Sequence, residues 1–166
     1  MTTFTTTIDS PVGPLLLTSD GTALTRLLFD ATTVDPTWST DPCPVLATAT
    51  AQLTEYFAGT RTTFNVPLAP TGTEFQLRTW LALRNIPYAE TISYGQLALQ
   101  VGNVKASRAV GLANGRNPIS IVVPCHRVIG ANGSLTGYGG GLDRKRLLLD
   151  LERQAQDQQQ RREDAS

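Results

Sequence analysis

The sequence predicts an α+β protein of 166 residues, with strands in the first third and mainly helices after it. Three runs of branched, aromatic and Thr residues occupy the first thirty positions and are separated by turn-forming residues. Apolar residues at helical spacing begin near residue 45 and dominate from residue 73 onward. Residues 69–72 (Ala-Pro-Thr-Gly) have the composition of a linker, so we place a domain boundary between residues 69 and 70.

The predicted N-terminal α/β domain, residues 1–69, begins with a β-meander. Its first three strands are expected at 4–8, 15–18 and 24–29. The turn signals between them are Ser10-Pro11-Val12-Gly13-Pro14 and Ser19-Asp20-Gly21. A loop at 31–44, a helix at 45–57 and a further strand at 64–68 complete this domain.

The predicted C-terminal domain, residues 70–153, consists mainly of helices. Two capping boxes open its first two helices, at Thr73-Glu74-Phe75-Gln76 and at Ser93-Tyr94-Gly95-Gln96. The second of these helices is short, and a turn at 102–103 joins it to a third helix that starts near residue 104. Two short helices joined by a glycine-containing turn are typical of a helix-turn-helix.

The end of the chain is predicted to contain one buried strand, one helix and a tail. Residues 119–123 are apolar and mostly β-branched, which favours a buried strand. A last helix is expected at 142–153, with leucines on its apolar side. Residues 154–166 are polar and rich in Gln, and we expect them to be disordered.

Composition excludes several classes of protein. The chain is 40% hydrophobic and 17% charged, as expected for a soluble globular protein. It has no run of roughly 20 apolar residues that could span a membrane. Its N-terminus resembles no secretory signal, so we expect an intracellular, cytoplasmic protein of bacterial type. Two cysteines are too few for a disulfide framework and indicate free thiols.

The net charge of zero conceals a segregation of charge along the chain. Residues 1–100 hold four Arg and eight acidic residues, whereas residues 101–166 hold ten basic and six acidic residues. No acidic residue lies between Glu90 and Asp143. A basic surface without acids can bind a polyanion, so this interval weakly favours a nucleic acid as partner.

The only histidine directly follows one of the two cysteines, in the run Pro124-Cys125-His126-Arg127-Val128. A thiolate is the nucleophilic form of cysteine, and a free thiol needs help to ionise at neutral pH. The imidazole could take the proton, and the guanidinium could favour the thiolate through its field. A buried cysteine beside an unrelated histidine is the competing interpretation, because adjacent side chains in an extended segment point to opposite faces.

Features on both sides of this run support a reactive centre. Several glycines follow it, between residues 130 and 141, where the backbone could approach a ligand closely. Glu152 lies four residues after Leu148 and therefore beside the apolar stripe of the last helix. A carboxylate directed inward needs a partner, and His126 is a candidate. A surface glutamate at a frayed helix end is the alternative.

These residues resemble the O6-alkylguanine-DNA alkyltransferases (methylated-DNA–protein-cysteine methyltransferases). The resemblance is close over residues 73–152 and looser over residues 1–60. Besides the run around Cys125, it rests on matching segments in the family's order and spacing: Ile92-Ser93-Tyr94-Gly95-Gln96-Leu97-Ala98, Ala106-Ser107-Arg108-Ala109-Val110-Gly111, Asn117-Pro118 and Tyr138-Gly139-Gly140-Gly141-Leu142. It implies a ribonuclease-H-like N-terminal domain.

The resemblance also implies a role for each residue that matches the family pattern. Cys125 would take the alkyl group, His126 would act as general base through a water, and Glu152 would orient the imidazole. Asn117 would be a hinge between the recognition helix and the active site. Substrate contacts would come from Tyr94 (to guanine N3), the carbonyls of Cys125 and Val128, the N–H of Gly139, and Tyr138 as a pocket wall.

Double-stranded DNA containing alkylated guanine is the partner that the resemblance implies. The target atom is buried in the duplex, so the base must be flipped out, and Arg108 would fill the vacated space. The DNA-binding residues expected on or beside the recognition helix are Lys105, Ala106, Arg108, Ala109, Gly111 and Arg116. O4-alkylthymine is a second expected substrate, and the free protein is expected to be monomeric, with assembly on DNA left open.

Two departures from the family pattern affect these expectations. Position 139 is Gly where some members have Ser or Ala, which bears on the width of the pocket. The zinc site of some members has no counterpart, since Cys43 is the only other cysteine and no second histidine exists. We therefore expect no metal and no cofactor.

Two alternatives to a single-turnover enzyme are considered. A non-catalytic sensor of alkylguanine would bind and flip the base, but such proteins lack the cysteine that is present here as Cys125. A cysteine hydrolase of another family would leave the basic helix-turn-helix without a purpose.

Overall fold

The computed structural model describes residues 1–30 and 34–166. A three-stranded sheet comes first in the chain, and mainly helices follow it. Three antiparallel strands form the N-terminal sheet in the order β1-β2-β3: β1 (Phe4–Ile8), β2 (Leu15–Ser19) and β3 (Leu24–Phe29). The central strand β2 is buried along its whole length. Helix α1 (Pro44–Phe57) packs on this sheet. The predicted α+β class and the β-meander are confirmed.

The C-terminal half contains three short helices that pack on one another, α2 (Glu74–Leu83), α3 (Tyr94–Val101) and α4 (Ser107–Gly115). Both predicted capping boxes are present, at the starts of α2 and α3. Helix α3 ends at Gly102, whose φ of 97° is the left-handed conformation that favours glycine at this position. Helix α4 begins at Ser107, three residues later than predicted.

A short parallel pair and a long helix complete the chain. Strand β4 (Ile92–Ser93) pairs with β5 (Val128–Ile129), which directly follows a 3₁₀ turn at Cys125–Arg127. Helix α5 runs over Leu142–Asp164. In the described part of the chain, no helix is long and apolar enough to cross a membrane.

Two predicted strands are wrong. Segment 64–68 contributes one isolated bridge, between Leu68 and Leu24, because Pro67 has no N–H to donate to a ladder. Segment 119–123 is buried but folds into a tight turn, in which Val123 N donates to Ile119 O at 3.0 Å. Ile121, at the centre of this turn, has a φ of 73°. The apolar residues of 119–123 therefore indicate burial and not an extended strand.

The predicted disordered tail is also wrong, since α5 continues without a break to Asp164. Residues 154–166 are rich in good helix formers, and hydrogen bonds one turn apart join Gln159 to Glu163 and Gln160 to Asp164. The polar composition of residues 154–166 was therefore not by itself a sign of disorder. The predicted loop at 31–44 lies outside the described residues over positions 31–33.

The two halves share one hydrophobic core, and α5 connects them through Arg144. The Arg144 guanidinium donates to Val12 O at 2.8 Å and to Gly140 O at 3.0 Å. It also pairs with Asp30 at 2.6 Å and lies 5.2 Å from the centre of the Phe29 ring. This side chain therefore fixes the glycine-rich loop 139–141 against the end of β3.

A methyl group at Gly140 should disturb this contact. The Cβ of Gly140→Ala would lie 2.6 Å from the Phe29 ring, so we expect the free energy of unfolding to fall by about 1–3 kcal/mol. Gly95→Ala in α3 is the matched control, because its Cβ would meet nothing closer than Ser93 Oγ at 3.8 Å. Urea unfolding of both variants tests this, and a Gly140→Ala protein as stable as the parent would contradict it.

Candidate active site

Asn117, just after α4, organises the turn that leads to Cys125. Its Nδ2 donates to Val123 O at 2.8 Å, and its Oδ1 accepts from Ile119 N at 3.0 Å. The backbone of this segment is also hydrogen-bonded to β3, where Leu27 N donates to Pro118 O at 2.9 Å. The Asn117 side chain therefore joins the two ends of the turn, and the N-terminal sheet holds the backbone just before it.

Cys125 is a free thiol at the start of the 3₁₀ turn and lines a pocket of about 310 Å³. The residue is only 4% exposed. The pocket brings together three of the predicted site residues besides Cys125, which are Asn117, Tyr138 and Gly139. Its other lining residues come from β3, from α4 and from the loops: Leu28, Phe29, Asn114, Gly115, Ser120 and Gly140. The N-terminal sheet therefore supplies part of the wall beside the thiol.

His126 and Glu152 form a fully buried pair, as the position of Glu152 on the last helix predicted. His126 Nε2 lies 2.6 Å from Glu152 Oε2. An ionised carboxylate only accepts hydrogen bonds, so Nε2 must carry the proton. In the neutral ring, Nδ1 then holds the lone pair, and it has no hydrogen-bond partner among the described residues. The imidazole is therefore in the form that can accept a proton at Nδ1.

Glu152 accepts hydrogen bonds from three further groups besides His126. Arg127 binds both carboxylate oxygens, with Nε 2.9 Å from Oε1 and Nη2 3.0 Å from Oε2. Tyr56 Oη, on α1 of the N-terminal domain, donates to Oε2 at 2.6 Å. The backbone N–H of Ala89 donates to Oε1 at 3.1 Å. No pattern in the sequence indicated this role for Tyr56, whose position in α1 marks it only as a core aromatic residue.

The pKa shifts of this group follow from burial and from these contacts. Burial alone would raise the pKa of Glu152, but the hydrogen bonds from His126 and Arg127, together with the charge of Arg127, outweigh it and hold the pKa well below its usual range. Burial lowers the pKa of His126, with Glu152 acting in the opposite direction. The resting pair is therefore a neutral imidazole and a carboxylate.

Burial also raises the pKa of Cys125, against the opposing effects of Asn117, Tyr138 and Lys145. At neutral pH the resting protein therefore holds a thiol, and a nucleophilic thiolate requires removal of its proton. The sequence prediction assigned the supporting field to Arg127, but Arg127 is engaged with Glu152. Lys145 is the cation that lowers the pKa of the thiol. In the sequence it lies within the basic run 144–146, which resembles a solvated surface.

Lys145 connects a second group of predicted site residues. Its Nζ is buried and donates to Val128 O at 2.6 Å and to Thr136 O at 2.9 Å. Tyr94 Oη donates to the same Thr136 carbonyl at 3.0 Å. Tyr94 directly follows β4, and Val128 begins the partner strand β5, so the parallel pair sets these residues side by side.

Both carbonyls that were predicted to read the guanine amine already accept a hydrogen bond. Asn114 Nδ2 donates to Cys125 O at 3.2 Å, and Lys145 donates to Val128 O. A carbonyl oxygen has two lone pairs. Cys125 O also accepts from the backbone N–H of Val128, so both of its lone pairs are engaged, whereas Val128 O can accept one more donor. Burial, followed by the nearby Cys125, raises the pKa of Tyr138, so its hydroxyl remains protonated.

The predicted DNA-binding residues divide into an exposed group and a buried one. Lys105, Arg108, Ala109 and Arg116 are exposed on or beside α4. Gly111 is half-buried, and a Cβ there would lie 3.7 Å from the Tyr94 ring. The prediction that Ala106 contacts DNA is corrected. Ala106 directly precedes α4, is only 8% exposed, and packs its side chain in the hydrophobic core.

The described residues contain no group of three His, Cys, Asp or Glu side chains that could hold a metal ion. Cys43 is buried just before α1, in the N-terminal domain. The site itself contains a thiol, a neutral imidazole and a hydrogen-bonded carboxylate.

Two family models match the chain, in the order of its two halves. The first is described as "6-O-methylguanine DNA methyltransferase, ribonuclease-like domain" and matches residues 3–70. The second is described as "6-O-methylguanine DNA methyltransferase, DNA binding domain" and matches residues 74–154. The expected kind of N-terminal domain is thereby confirmed.

Curated relatives and solved structures agree with these matches. The methylated-DNA–protein-cysteine methyltransferase of Mycobacterium tuberculosis (strain ATCC 25618 / H37Rv) is 57% identical over 150 residues, which cover 89% of this chain and 90% of the relative. The protein of the same name from Methanosarcina acetivorans is 53% identical over 87% of this chain and 94% of its own. The crystal structure of Mycobacterium tuberculosis OGT in complex with DNA matches with a TM-score of 0.85 at 54% identity, covering 93% of this chain and 94% of that one.

Because the Glu152 carboxylate is buried and ionised, the free energy of unfolding should depend on pH in the acidic range. The pKa of Glu152 is lower in the folded protein than its usual value of 4.5. Its contribution to the free energy of unfolding is therefore complete above pH 4.5, and it is lost as the pH falls through the pKa of the folded protein. Glu152→Gln has the same shape and leaves Arg127 without its counter-charge. We expect it to lower the free energy of unfolding by about 3–5 kcal/mol at pH 7.

Urea unfolding from pH 8 to pH 3 tests this prediction. Because Glu152 also raises the pKa of His126, both proteins carry His126→Gln in this comparison. The difference in stability between the protein with Glu152 and the one with Glu152→Gln should then shrink below pH 4.5. A difference that stays constant from pH 7 to pH 3 would contradict the assignment.

Proposed function

The chain belongs to the 6-O-methylguanine DNA methyltransferase family, and from this premise we propose that it repairs DNA by direct reversal of alkylation damage. It acts as a methylated-DNA–protein-cysteine methyltransferase that moves an alkyl group from O6 of guanine onto its own Cys125. The observation that carries this proposal is a buried cysteine whose neighbour in sequence is a neutral histidine paired with a carboxylate.

The transfer is a displacement at the alkyl carbon. A bond forms between Cys125 Sγ and that carbon, while the bond between the carbon and guanine O6 breaks and its electron pair leaves with the purine. The proton lost by the thiol balances the one that the purine gains, so the products are guanine and a cysteine thioether. A thioether cannot be hydrolysed back to a thiol under cellular conditions, so each molecule reacts once.

The thiol must lose its proton during this reaction, because burial keeps it protonated at rest. His126 Nδ1 is the base, reached through a water, and the negative charge of Glu152 stabilises the imidazolium that forms. Arg127 and Tyr56 hold the carboxylate in place and do not touch the reacting atoms. The hinge at Asn117 joins this group to the recognition helix.

The flipped base lies between the two groups of site residues. Tyr94 Oη exchanges its hydrogen bond to Thr136 O for one to guanine N3, which helps the purine leave as an anion. The carbonyl of Val128 accepts from the exocyclic amine with its remaining lone pair, and that of Cys125 does so by exchanging one of its two present donors. The N–H of Gly139 faces O6, and Tyr138 forms a wall of the pocket.

Duplex DNA with an alkylated base binds at the exposed face of α4. Arg108 enters the stack and replaces the flipped nucleotide, which offsets part of the cost of unstacking. Ala109 and Gly111 allow the helix to approach the minor groove closely. Lys105 and Arg116 flank the helix as phosphate contacts. The free protein is a monomer, and O4-alkylthymine is a second substrate.

A non-catalytic sensor of alkylguanine is the alternative function, and Cys125 argues against it. A cysteine that only filled space would not need the His126–Glu152 pair beside it. The reaction requires a free thiol, which is consistent with a reducing intracellular compartment such as the cytoplasm.

Intact-mass spectrometry tests this function most simply. Incubation with duplex DNA containing O6-methylguanine should add one methyl group per protein molecule, on a peptide that contains Cys125, with one guanine restored per adduct. Cys125→Ala should bind the DNA and gain no mass, while Cys43→Ala should react like the parent. DNA binding without any adduct on the parent protein would favour the sensor, and recovery of unmodified protein after many turnovers would indicate a hydrolase.

A further inference from the structure

The pocket beside Cys125 contains two buried polar atoms that the proposed mechanism does not use. Asn114 Oδ1 and Tyr138 Oη make no hydrogen bond of normal geometry within the described parts of the chain, and the Tyr138 hydroxyl lies near Cys125 and Ser120. Both residues line the same 310 Å³ pocket as the thiol. A buried polar atom without a partner costs free energy, so a pocket with two of them is suited to a ligand with hydrogen-bonding groups.

The orientation of the Asn114 amide is fixed by its other end. Asn114 Nδ2 donates to Cys125 O at 3.2 Å, and rotating the amide by half a turn would set two oxygens against each other. The residue is 2% exposed, so bulk water does not reach it. Asn114 therefore presents an acceptor, Oδ1, while the hydroxyl of Tyr138 can donate or accept.

We propose that Asn114 and Tyr138 make this pocket selective for neutral hydroxyalkyl groups on guanine O6, such as 2-hydroxyethyl, over apolar alkyl groups of the same size. This rests on the proposed function, because the transferred carbon must contact Cys125 Sγ and the rest of the alkyl group then occupies the pocket that Cys125 lines. A hydroxyl group can donate to Asn114 Oδ1 and accept from Tyr138 Oη. A methyl group has no hydrogen-bonding atom to offer to either residue.

The charge of the lining favours a neutral group. The residues around the pocket are apolar or uncharged polar residues, among them Asn117 and Ser120. The cations that act on Cys125 and Tyr138, Lys145 and Arg144, are already engaged with backbone carbonyls and with Asp30. An anionic alkyl group would therefore lose its hydration there without gaining a free cationic partner, whereas a hydroxyl group needs only one acceptor and one donor.

Single-turnover transfer from three duplexes tests the proposal. They are identical except for O6-(2-hydroxyethyl)guanine, O6-propylguanine or O6-methylguanine at one position. The hydroxyethyl and propyl groups each have three non-hydrogen atoms, so they differ in polarity more than in size. The parent protein should react with the hydroxyethyl substrate about tenfold faster than with the propyl one, as expected for one hydrogen bond to a buried group that is otherwise unpaired.

Three variants assign the selectivity to the two atoms. Asn114→Leu removes Oδ1 at nearly constant size and should reduce the hydroxyethyl-to-propyl ratio about tenfold. Tyr138→Phe keeps the ring, loses only the hydroxyl and should reduce the ratio about threefold. Asn85→Leu is the control for the same substitution at an exposed position and should keep the parental ratio.

The ratio within each variant is independent of any general loss of activity, such as that caused by the missing bond from Asn114 to Cys125 O. A parental ratio near one, or a high ratio that neither Asn114→Leu nor Tyr138→Phe lowers, would overturn the proposal. Failure of the parent to react with the methyl substrate would instead refute the proposed function.

Discussion

The arrangement of the site depends on one buried carboxylate. Glu152 is fully buried on α5, and it is the point where groups from distant parts of the chain meet: Tyr56, Ala89, His126 and Arg127. A buried charge is tolerable only when it is paired and fully hydrogen-bonded, so folding around this carboxylate must bring these donors together. The same contacts fix the tautomer of His126, which leaves Nδ1 free to act as a base.

The N-terminal domain contributes to the site in three ways. Tyr56 donates to the carboxylate, the backbone of Leu27 holds the turn that precedes Cys125, and Leu28 and Phe29 line the pocket. None of these residues carries the reaction. They instead set the positions of the groups that do, which explains how a small sheet and one helix can matter to chemistry performed by the other half of the chain.

The sequence predicted the features that depend on local pattern. Capping boxes, the β-meander and the inward position of Glu152 could each be inferred from spacing within one element. The groups that were missed act over long separations in sequence: Tyr56 lies 96 residues from its partner Glu152. Lys145 resembles a surface residue because its buried partners are backbone carbonyls, which leave no trace in the sequence.

Activation of Cys125 depends on the state of a single imidazole, and His126 is the only histidine in the chain. Nitrogen-15 NMR of protein labelled at histidine can therefore report its tautomer and titration without assignment. We predict a neutral ring at pH 7, protonated at Nε2 and unprotonated at Nδ1, that titrates below its usual pKa of 6.5 if it titrates before the protein unfolds. An imidazolium at pH 7, or a neutral ring protonated at Nδ1, would contradict it.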